Sequence, residues 1–180
     1  SKVTIADVSE QFFRLGFAGK NAAQVLAHIS PRIPQTEGEV VQFDDGIIIK
    51  HAGAIPRFEI MMPNANADKV LATLSQYAQV ASLNLWHLLE IEAGIAEITE
   101  ATQEKFVPQM VNLDALGGIN FKKGCYTGQE IVARTHYLGK VKRRTLLAHI
   151  DSAQAPQVGD QLLIAQEAVG TIVRVASHPN

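Results

Sequence analysis

The sequence predicts an α+β fold: a ferredoxin-like, split βαβ domain followed by part of a small β-barrel domain. Strand-like and helix-like segments alternate over residues 12–77, and short strand-like runs follow Gly139. Hydrophobic residues make up 47% of the chain and charged residues 19%, as in ordinary globular proteins. We therefore expect one domain over residues 1–139 and the start of a second over residues 140–180.

The first predicted elements are a strand and a helix. "QFFRLGFAGK" is a Phe-rich run closed by Gly19, which is typical of a strand. "NAAQVLAHIS" follows with apolar residues at helical spacing, Asn21 as the N-cap and Pro31 as the stop. The apolar positions of this helix are Ala22, Val25, Leu26 and Ile29.

Paired strands and a second helix come next. "EVVQFDDGIIIKH" predicts a hairpin turning at Asp45-Gly46, a dipeptide that tolerates positive φ, and "RFEIMMP" predicts a strand ending at Pro63. "NADKVLATLSQYA" predicts a helix. Strand, helix, paired strands and helix in this order are typical of a split βαβ arrangement. The apolar face of the second helix consists of Val70, Leu71, Leu74 and Tyr77.

The remaining segments predict a further helix and then β structure. "LNLWHLLEIEA", residues 83–93, is strongly periodic and ends at Gly94. An irregular stretch leads to a motif around residue 125. "RRTLLAHI", "QLLIA" and "VGTIVRVAS" then predict short strands, which we interpret as the beginning of a barrel.

Charge and cysteine content exclude several classes of protein. A net charge of −2 argues against a surface built throughout for nucleic acid or anionic lipid, although local basic clusters remain possible. A single cysteine cannot form an internal disulfide, and no apolar run approaches the ~20 residues of a membrane span. We expect a cytoplasmic protein, and the chain ends suggest a fragment of a longer one.

The helix at residues 83–93 places a carboxylate among leucines. At about 100° per residue, Glu92 lies between Leu88 and Leu89, whereas Glu90 points away. A buried carboxylate must accept hydrogen bonds or shift its pKa upward. The alternative is that Glu92, in the last turn, simply extends into solvent.

Trp86 lies at the edge of the same leucine face. An edge tryptophan usually packs in the core, but it can also form the wall of a pocket for a flat ring. The six histidines show no metal-ligand spacing, so we predict no metal site.

Cys125, in "FKKGCYTGQEIVAR", is the residue with the most reactive chemistry. The sulfur precedes a predicted helix N-terminus and follows Lys122 and Lys123, and both features favour a thiolate. The alternative is a small, inert core residue. One cysteine cannot hold a [4Fe–4S] cluster within this chain, because such a cluster takes four thiolates.

The densest basic cluster is "KVKRR", which contains Lys140, Lys142, Arg143 and Arg144. Such a run is usually a solvated strand edge protected from aggregation by its charge. It is also suited to weak contact with tRNA phosphates or with a polycarboxylate tail.

These motifs together resemble the YgfZ family of folate-binding proteins, which is related to the aminomethyltransferases (T-proteins) of the glycine cleavage system. "KGCYTGQE" resembles the defining motif of that family, and "LWHLLEIEAG" is similar to the helix before it. The resemblance covers the whole chain, although members extend beyond it on both sides. It implies an aminomethyltransferase-type folate-binding fold around a central cleft.

The resemblance also implies a cofactor and residue roles. Tetrahydrofolate is the implied cofactor, with Trp86 and Glu92 at the pterin. Cys125 matches the motif cysteine on which function depends, where T-proteins carry an acidic residue. The cofactor-binding positions implied by the motif are Lys122, Lys123, Tyr126 and Gln129, and the two lysines suit the anionic glutamate tail of folate.

The leading hypothesis is an accessory protein that supports iron–sulfur enzymes and tRNA thiomethylation, with those enzymes as clients. In it, Cys125 is a redox-active thiolate or one that contacts a cluster transiently. One alternative is a folate-dependent one-carbon transferase, but the cysteine argues against aminomethyl transfer. Another is a tRNA-binding module acting through residues 140–144.

Overall fold

The structure is a computed structural model that describes residues 2–152 and 154–178. The chain divides into two compact units between Ser82 and Leu83. No helix within the described residues is long and apolar enough to cross a membrane.

The first unit consists of a four-stranded sheet and two helices. In chain order its elements are β1 Phe12–Ala18, α1 Ala22–Leu26, β2 Val40–Phe43, β3 Gly46–His51, β4 Arg57–Pro63 and α2 Asn64–Leu74. A 3₁₀ turn, Ser9–Gln11, precedes β1. The predicted strands, hairpin and helices of this part of the chain are therefore confirmed.

The sheet has the strand order β1-β4-β3-β2, and each neighbouring pair is antiparallel. Because β4 is antiparallel to both β1 and β3, these two strands run parallel to each other with β4 inserted between them. This is the strand relationship of a split βαβ unit, with α1 in the connection and β2 added at the edge. An α+β fold with an antiparallel sheet is confirmed.

One apolar core joins the sheet to both helices. Alternate residues of β4, Phe58, Ile60 and Met62, are buried because successive strand side chains point to opposite faces. Leu26 of α1 and Val70 of α2 belong to the same buried cluster. Burial of each such side chain contributes roughly 1.5–3 kcal/mol, so this cluster stabilises the unit.

The β2–β3 hairpin turns one residue earlier than predicted. Phe43 pairs with Gly46, so the loop residues are Asp44 and Asp45. Gly46 is not in the positive-φ region; instead, a Cβ there would lie 2.3 Å from the carbonyl oxygen of Met61. The glycine is needed for close approach of two strands rather than for turn geometry.

The two helices are shorter than their apolar periodicity predicts. Helix α1 ends at Leu26, before Ile29, and α2 ends at Leu74. Tyr77, expected on the buried face, lies beyond the helix and is 51% exposed. Its ring stacks on His28, with ring centroids 4.0 Å apart, and this contact accounts for an aromatic residue at that position.

The second unit contains two helices, a hairpin and two 3₁₀ turns. Its elements are α3 Leu83–Glu92, α4 Gln129–Tyr137, β5 Gln161–Ile164 and β6 Glu167–Thr171. The 3₁₀ turns are Glu100–Thr102 and Pro108–Val111. Strands β5 and β6 are antiparallel, and their turn residues Ala165 and Gln166 both have positive φ, as a type I′ turn requires.

The strand predicted at "RRTLLAHI" is wrong, because residues 143–150 contain no strand. The N–H and hydroxyl of Thr145 donate to the Met110 carbonyl at 2.8 and 3.0 Å, and Asn112 donates to the Thr145 carbonyl. This segment is therefore attached to a 3₁₀ turn rather than to a neighbouring strand. The predicted domain boundary at residue 139 remains a prediction.

Candidate functional site

Helix α3 ends as its sequence predicts. Gly94 has φ of 75°, its N–H donates to the carbonyl of Ile91, and the N–H of Ile95 donates to that of Glu90. This pair of bonds is a Schellman motif, which favours glycine because its left-handed conformation strains other residues. The end of the helix that carries Glu92 is thus fixed by the backbone.

The carboxylate with a specific protein partner on α3 is Glu90, not Glu92. Glu90 forms an ion pair with Arg174, whose side chain is 11% exposed and also lies 3.2 Å from Glu97. Glu92 is exposed, so of the two interpretations of its position the one in which it extends into solvent is confirmed. Burial among leucines is wrong because α3 contains no buried residue, so its leucine face does not enclose a carboxylate.

The loop around Cys125 is held by local hydrogen bonds. The side-chain oxygen of Asn120 accepts from the backbone N–H of Lys122 and of Lys123, at 2.8 and 3.1 Å. Beyond the cysteine, the Tyr126 N–H donates to the Gln129 side chain, and the Gln129 N–H donates to the Tyr126 carbonyl. These bonds bracket the sulfur on both sides and define the path of the loop.

Cys125 itself is exposed. The alternative of a buried, inert cysteine is therefore wrong. Helix α4 begins four residues later, after Gly128 in a left-handed conformation with φ of 85°. The ammonium of Lys123 lies 4.6 Å from the ring centroid of Tyr126, a cation–π contact that couples two of the predicted folate-binding residues.

The start of this loop also carries an aromatic cluster that the sequence did not suggest. Phe121 stacks on His136 of α4 at a centroid distance of 3.9 Å, and Tyr137 meets both rings edge to face. The side chain of Tyr137 is 67% exposed. Phe121 precedes His136 by fifteen positions and Tyr137 by sixteen, so only the fold brings its ring to the other two.

Sequence reasoning also missed Gln109, which links the 3₁₀ turn Pro108–Val111 to α4. It is 1% exposed, and its amide donates to the Val132 carbonyl at 2.7 Å. Within the described residues its side-chain oxygen has no hydrogen-bond partner. The only indication of this role in the sequence is that Gln109 is the single amide residue within the otherwise apolar "FVPQMV".

Arg144 has a structural role that separates it from the rest of the basic run. Its guanidinium forms two hydrogen bonds to the Asp114 carboxylate, at 2.9 and 2.7 Å, and contacts the carbonyl of Gln109 and the side chain of Asn112. The hydrogen bond from Arg144 lowers the pKa of Asp114 to about 2. Of the four predicted tRNA contacts, Arg144 is thus already engaged within the protein.

The predicted site residues form two groups. The loop brings together Cys125 and four of the predicted cofactor residues: Lys122, Lys123, Tyr126 and Gln129. Trp86, which is partly buried, and Glu92 lie on α3. Among the residues the structure describes, no group of three or more His, Cys, Asp or Glu side chains is arranged to hold a metal ion.

The first unit contains a surface depression. An open depression of about 240 Å³ lies at the β2–β3 hairpin, lined by Phe12, Gln42, Asp44 and Asn66 among others. None of the predicted site residues lines it. Its walls belong to the first unit, whereas the candidate loop belongs to the second.

Comparison with known proteins identifies named relatives of this chain. No family model matches the chain. Two curated bacterial proteins, each named tRNA-modifying protein YgfZ, are 39% identical (Escherichia coli O127:H6) and 40% identical (E. coli O157:H7) over 162 residues. The match covers 90% of this chain and 49% of each relative, so the chain spans about half the length of the curated relatives it matches.

An α+β chain with an exposed motif cysteine is thus homologous to bacterial proteins named for tRNA modification. Over these 162 residues the chain is similar to proteins of the YgfZ family. The resemblance inferred from "KGCYTGQE" is confirmed at the level of the family.

Proposed function

We propose that this chain takes part in tRNA modification through the thiol of Cys125, as a folate-binding accessory to iron–sulfur enzymes. The observation that carries the proposal is the identity of about 40% to relatives named as tRNA-modifying proteins. The exposure of the sulfur supports it, because a thiol that acts on another protein's centre must be reachable. The aminomethyltransferase-type fold, cytoplasmic location and client enzymes belong to the same proposal.

The proposal assigns to Cys125 an action on something outside this chain. A single cysteine lacks the other thiolates that a resident cluster needs. The Asn120 and Gln129 hydrogen bonds define the backbone on both sides of the residue. The loop thereby presents one thiol in a defined setting to a client.

The side chains at the predicted cofactor positions are of the chemical types that suit tetrahydrofolate. The ammonium groups of Lys122 and Lys123 are exposed and suit the carboxylates of its glutamate tail. At the pterin, Trp86 offers a ring face and Glu92 a carboxylate that accepts N–H bonds. Because Glu92 is exposed, its bond to a pterin competes with water, and we expect modest affinity from this residue alone.

The thiol role is tested in cells. A chimera in which this sequence replaces the matched segment of the E. coli relative is expressed in a strain lacking that relative. Cys125→Ala and Cys125→Ser should abolish tRNA thiomethylation, measured by mass spectrometry of tRNA nucleosides. His149→Gln, an exposed change outside the loop, is the matched control and should leave modification intact. Normal modification with Cys125→Ala would remove the thiol from the proposal.

The folate role has a separate test. Calorimetric titration with tetrahydrofolate should give about tenfold weaker binding for Glu92→Gln and for Trp86→Phe than for the unmodified chain. Glu100→Gln, also exposed, is the control and should bind normally. Equal affinities for all four proteins would reject the pterin assignment and leave the role of Cys125 standing.

A further inference from the structure

The charge of this chain is distributed very unevenly. Residues 121–144 contain seven lysines and arginines and a single acidic residue, Glu130. The rest of the chain contains nine basic and seventeen acidic residues. A protein with an overall charge of −2 therefore concentrates positive charge in one short segment of its second unit.

The same segment carries the aromatic cluster. Phe121, His136 and Tyr137 contact one another, and Lys122 and Lys123 directly follow the first of these rings. His136 and Tyr137 are exposed. The segment also contains the exposed cations Lys122, Lys123, Arg134, Lys140, Lys142 and Arg143, and we refer to its exposed residues together as the 121–144 surface.

Arg144 does not belong to this surface as a free cation. Asp114 binds its guanidinium through both carboxylate oxygens, so the pair is close to neutral. The contacts of Arg144 and Thr145 to the 3₁₀ turn at Pro108–Val111 attach the end of the basic run to the body of the unit. Lys140, Lys142 and Arg143 are exposed just before that attachment.

We propose that the 121–144 surface binds a single-stranded loop of RNA, with the exposed rings of Tyr137 and His136 stacking on bases and the surrounding cations contacting phosphates. Exposed aromatic rings beside a cationic path are the combination that single-stranded nucleic acids require. An acidic peptide uses the cations but not the ring faces. The inference does not depend on folate or on the chemistry of Cys125.

The electrostatic part is tested by the salt dependence of binding. Fluorescence anisotropy of a labelled RNA stem-loop is followed with the full chain over a series of salt concentrations. The triple variant Lys140→Gln, Lys142→Gln and Arg143→Gln should lose roughly tenfold or more in affinity. It should also lower the slope of log affinity against log salt by about 2, because each phosphate contact on a single strand contributes about 0.7.

A matched triple variant has the same change in net charge outside the surface: Lys2→Gln, Lys20→Gln and Lys105→Gln. It should bind RNA almost as well as the unmodified chain and keep its salt slope. Equal losses for the two triple variants would overturn the proposal, because binding would then follow net charge alone. Polyglutamate that displaces the RNA at equal charge would overturn it in favour of an acidic protein partner.

Stacking is tested by changing one ring at a time. Tyr137→Leu keeps an apolar side chain but removes the aromatic face, and it should weaken binding about tenfold with an unchanged salt slope. His136→Gln is the second variant and should act in the same direction. Tyr77→Leu, which alters a half-exposed tyrosine in the other unit, should have no effect.

Cys125→Ser separates this inference from the proposed function. It should leave RNA affinity unchanged while abolishing modification in cells. Unchanged affinity for both Tyr137→Leu and His136→Gln would reject base stacking, whatever the outcome of the thiol experiment.

Discussion

In residues 2–82, eleven buried side chains form one apolar cluster between a sheet and two helices. In the described residues of the second unit, the buried apolar side chains are Val111, Val132 and Val173, and they are accompanied by buried Thr102 and Gln109. Large apolar side chains such as Leu138, Leu146 and Ile164 are exposed there. The first unit is therefore stabilised mainly by apolar burial, and the second depends more on specific polar contacts.

The predicted chemistry lies entirely in the second unit. Its hydrogen bonds define a loop that exposes a sulfur and a helix end that exposes aromatic rings. A closed apolar core leaves few reactive groups accessible, whereas segments with little buried apolar surface open and adapt at lower cost. The main apolar core and the candidate functional residues therefore lie in different parts of this chain.

The largest expected effect is a loss of unfolding free energy when a side chain in the apolar core of the first unit is truncated. Phe58→Ala removes a fully buried ring and should cost about 3–5 kcal/mol of unfolding free energy. The measurement is urea unfolding followed by far-UV circular dichroism. Phe12→Ala, on the adjacent strand β1 but 38% exposed, is the matched control and should cost much less. Equal costs would contradict the view that burial stabilises this unit.

A smaller effect distinguishes the two carboxylates of α3. Glu90→Gln breaks the pair with the largely buried Arg174 and should cost about 1–3 kcal/mol. Glu92→Gln changes an exposed side chain and should stay within about 0.5 kcal/mol of the unmodified chain. Trp86, the single tryptophan of the chain, lies on the same helix, so its fluorescence during urea unfolding is the measurement. A larger cost for Glu92→Gln would instead support the interpretation that this carboxylate is buried among leucines.

The smallest effect concerns Asp114 and depends on pH. Its pKa is lowered to about 2 by Arg144, so the pair contributes stability that is fully present above the unfolded pKa near 4. That contribution is lost as the pH falls from about 4 through about 2. Asp114→Asn should cost about 1 kcal/mol at neutral pH, because the pair is partly exposed.

The check on Asp114 is a set of urea midpoints from Trp86 fluorescence between neutral and acidic pH. The difference between the unmodified chain and Asp114→Asn should shrink as the pH falls from about 4 to about 2. A difference that stays constant over that range would show that the carboxylate charge contributes nothing.

Much of the fold could be predicted because its signals are local. Apolar periodicity and turn residues indicated β1, the hairpin, α2 and α3, and Gly94 marked the end of α3 correctly. Periodicity alone did not reveal what each face contacts. It therefore failed for Glu92, whose leucine neighbours are themselves only partly buried or exposed.

The motif cysteine could also be identified as a candidate from the sequence, because it is the single cysteine of the chain and lies beside lysines. The ion pair of Arg144 could not be predicted in this way. A basic run does not show which of its members pairs with a carboxylate thirty positions upstream. Gln109 and the Phe121–His136 pair depend on contacts of the same long-range kind.

The α+β class, the position of most helices and strands, and the family resemblance that the relatives confirm could all be inferred from the sequence alone. These follow from residue order, because propensity, periodicity and motifs act over neighbouring residues. Three outcomes required the folded structure: which charges are paired, which rings are in contact, and that Cys125 is exposed. Those outcomes depend on long-range packing, which brings distant residues together and sets what water can reach.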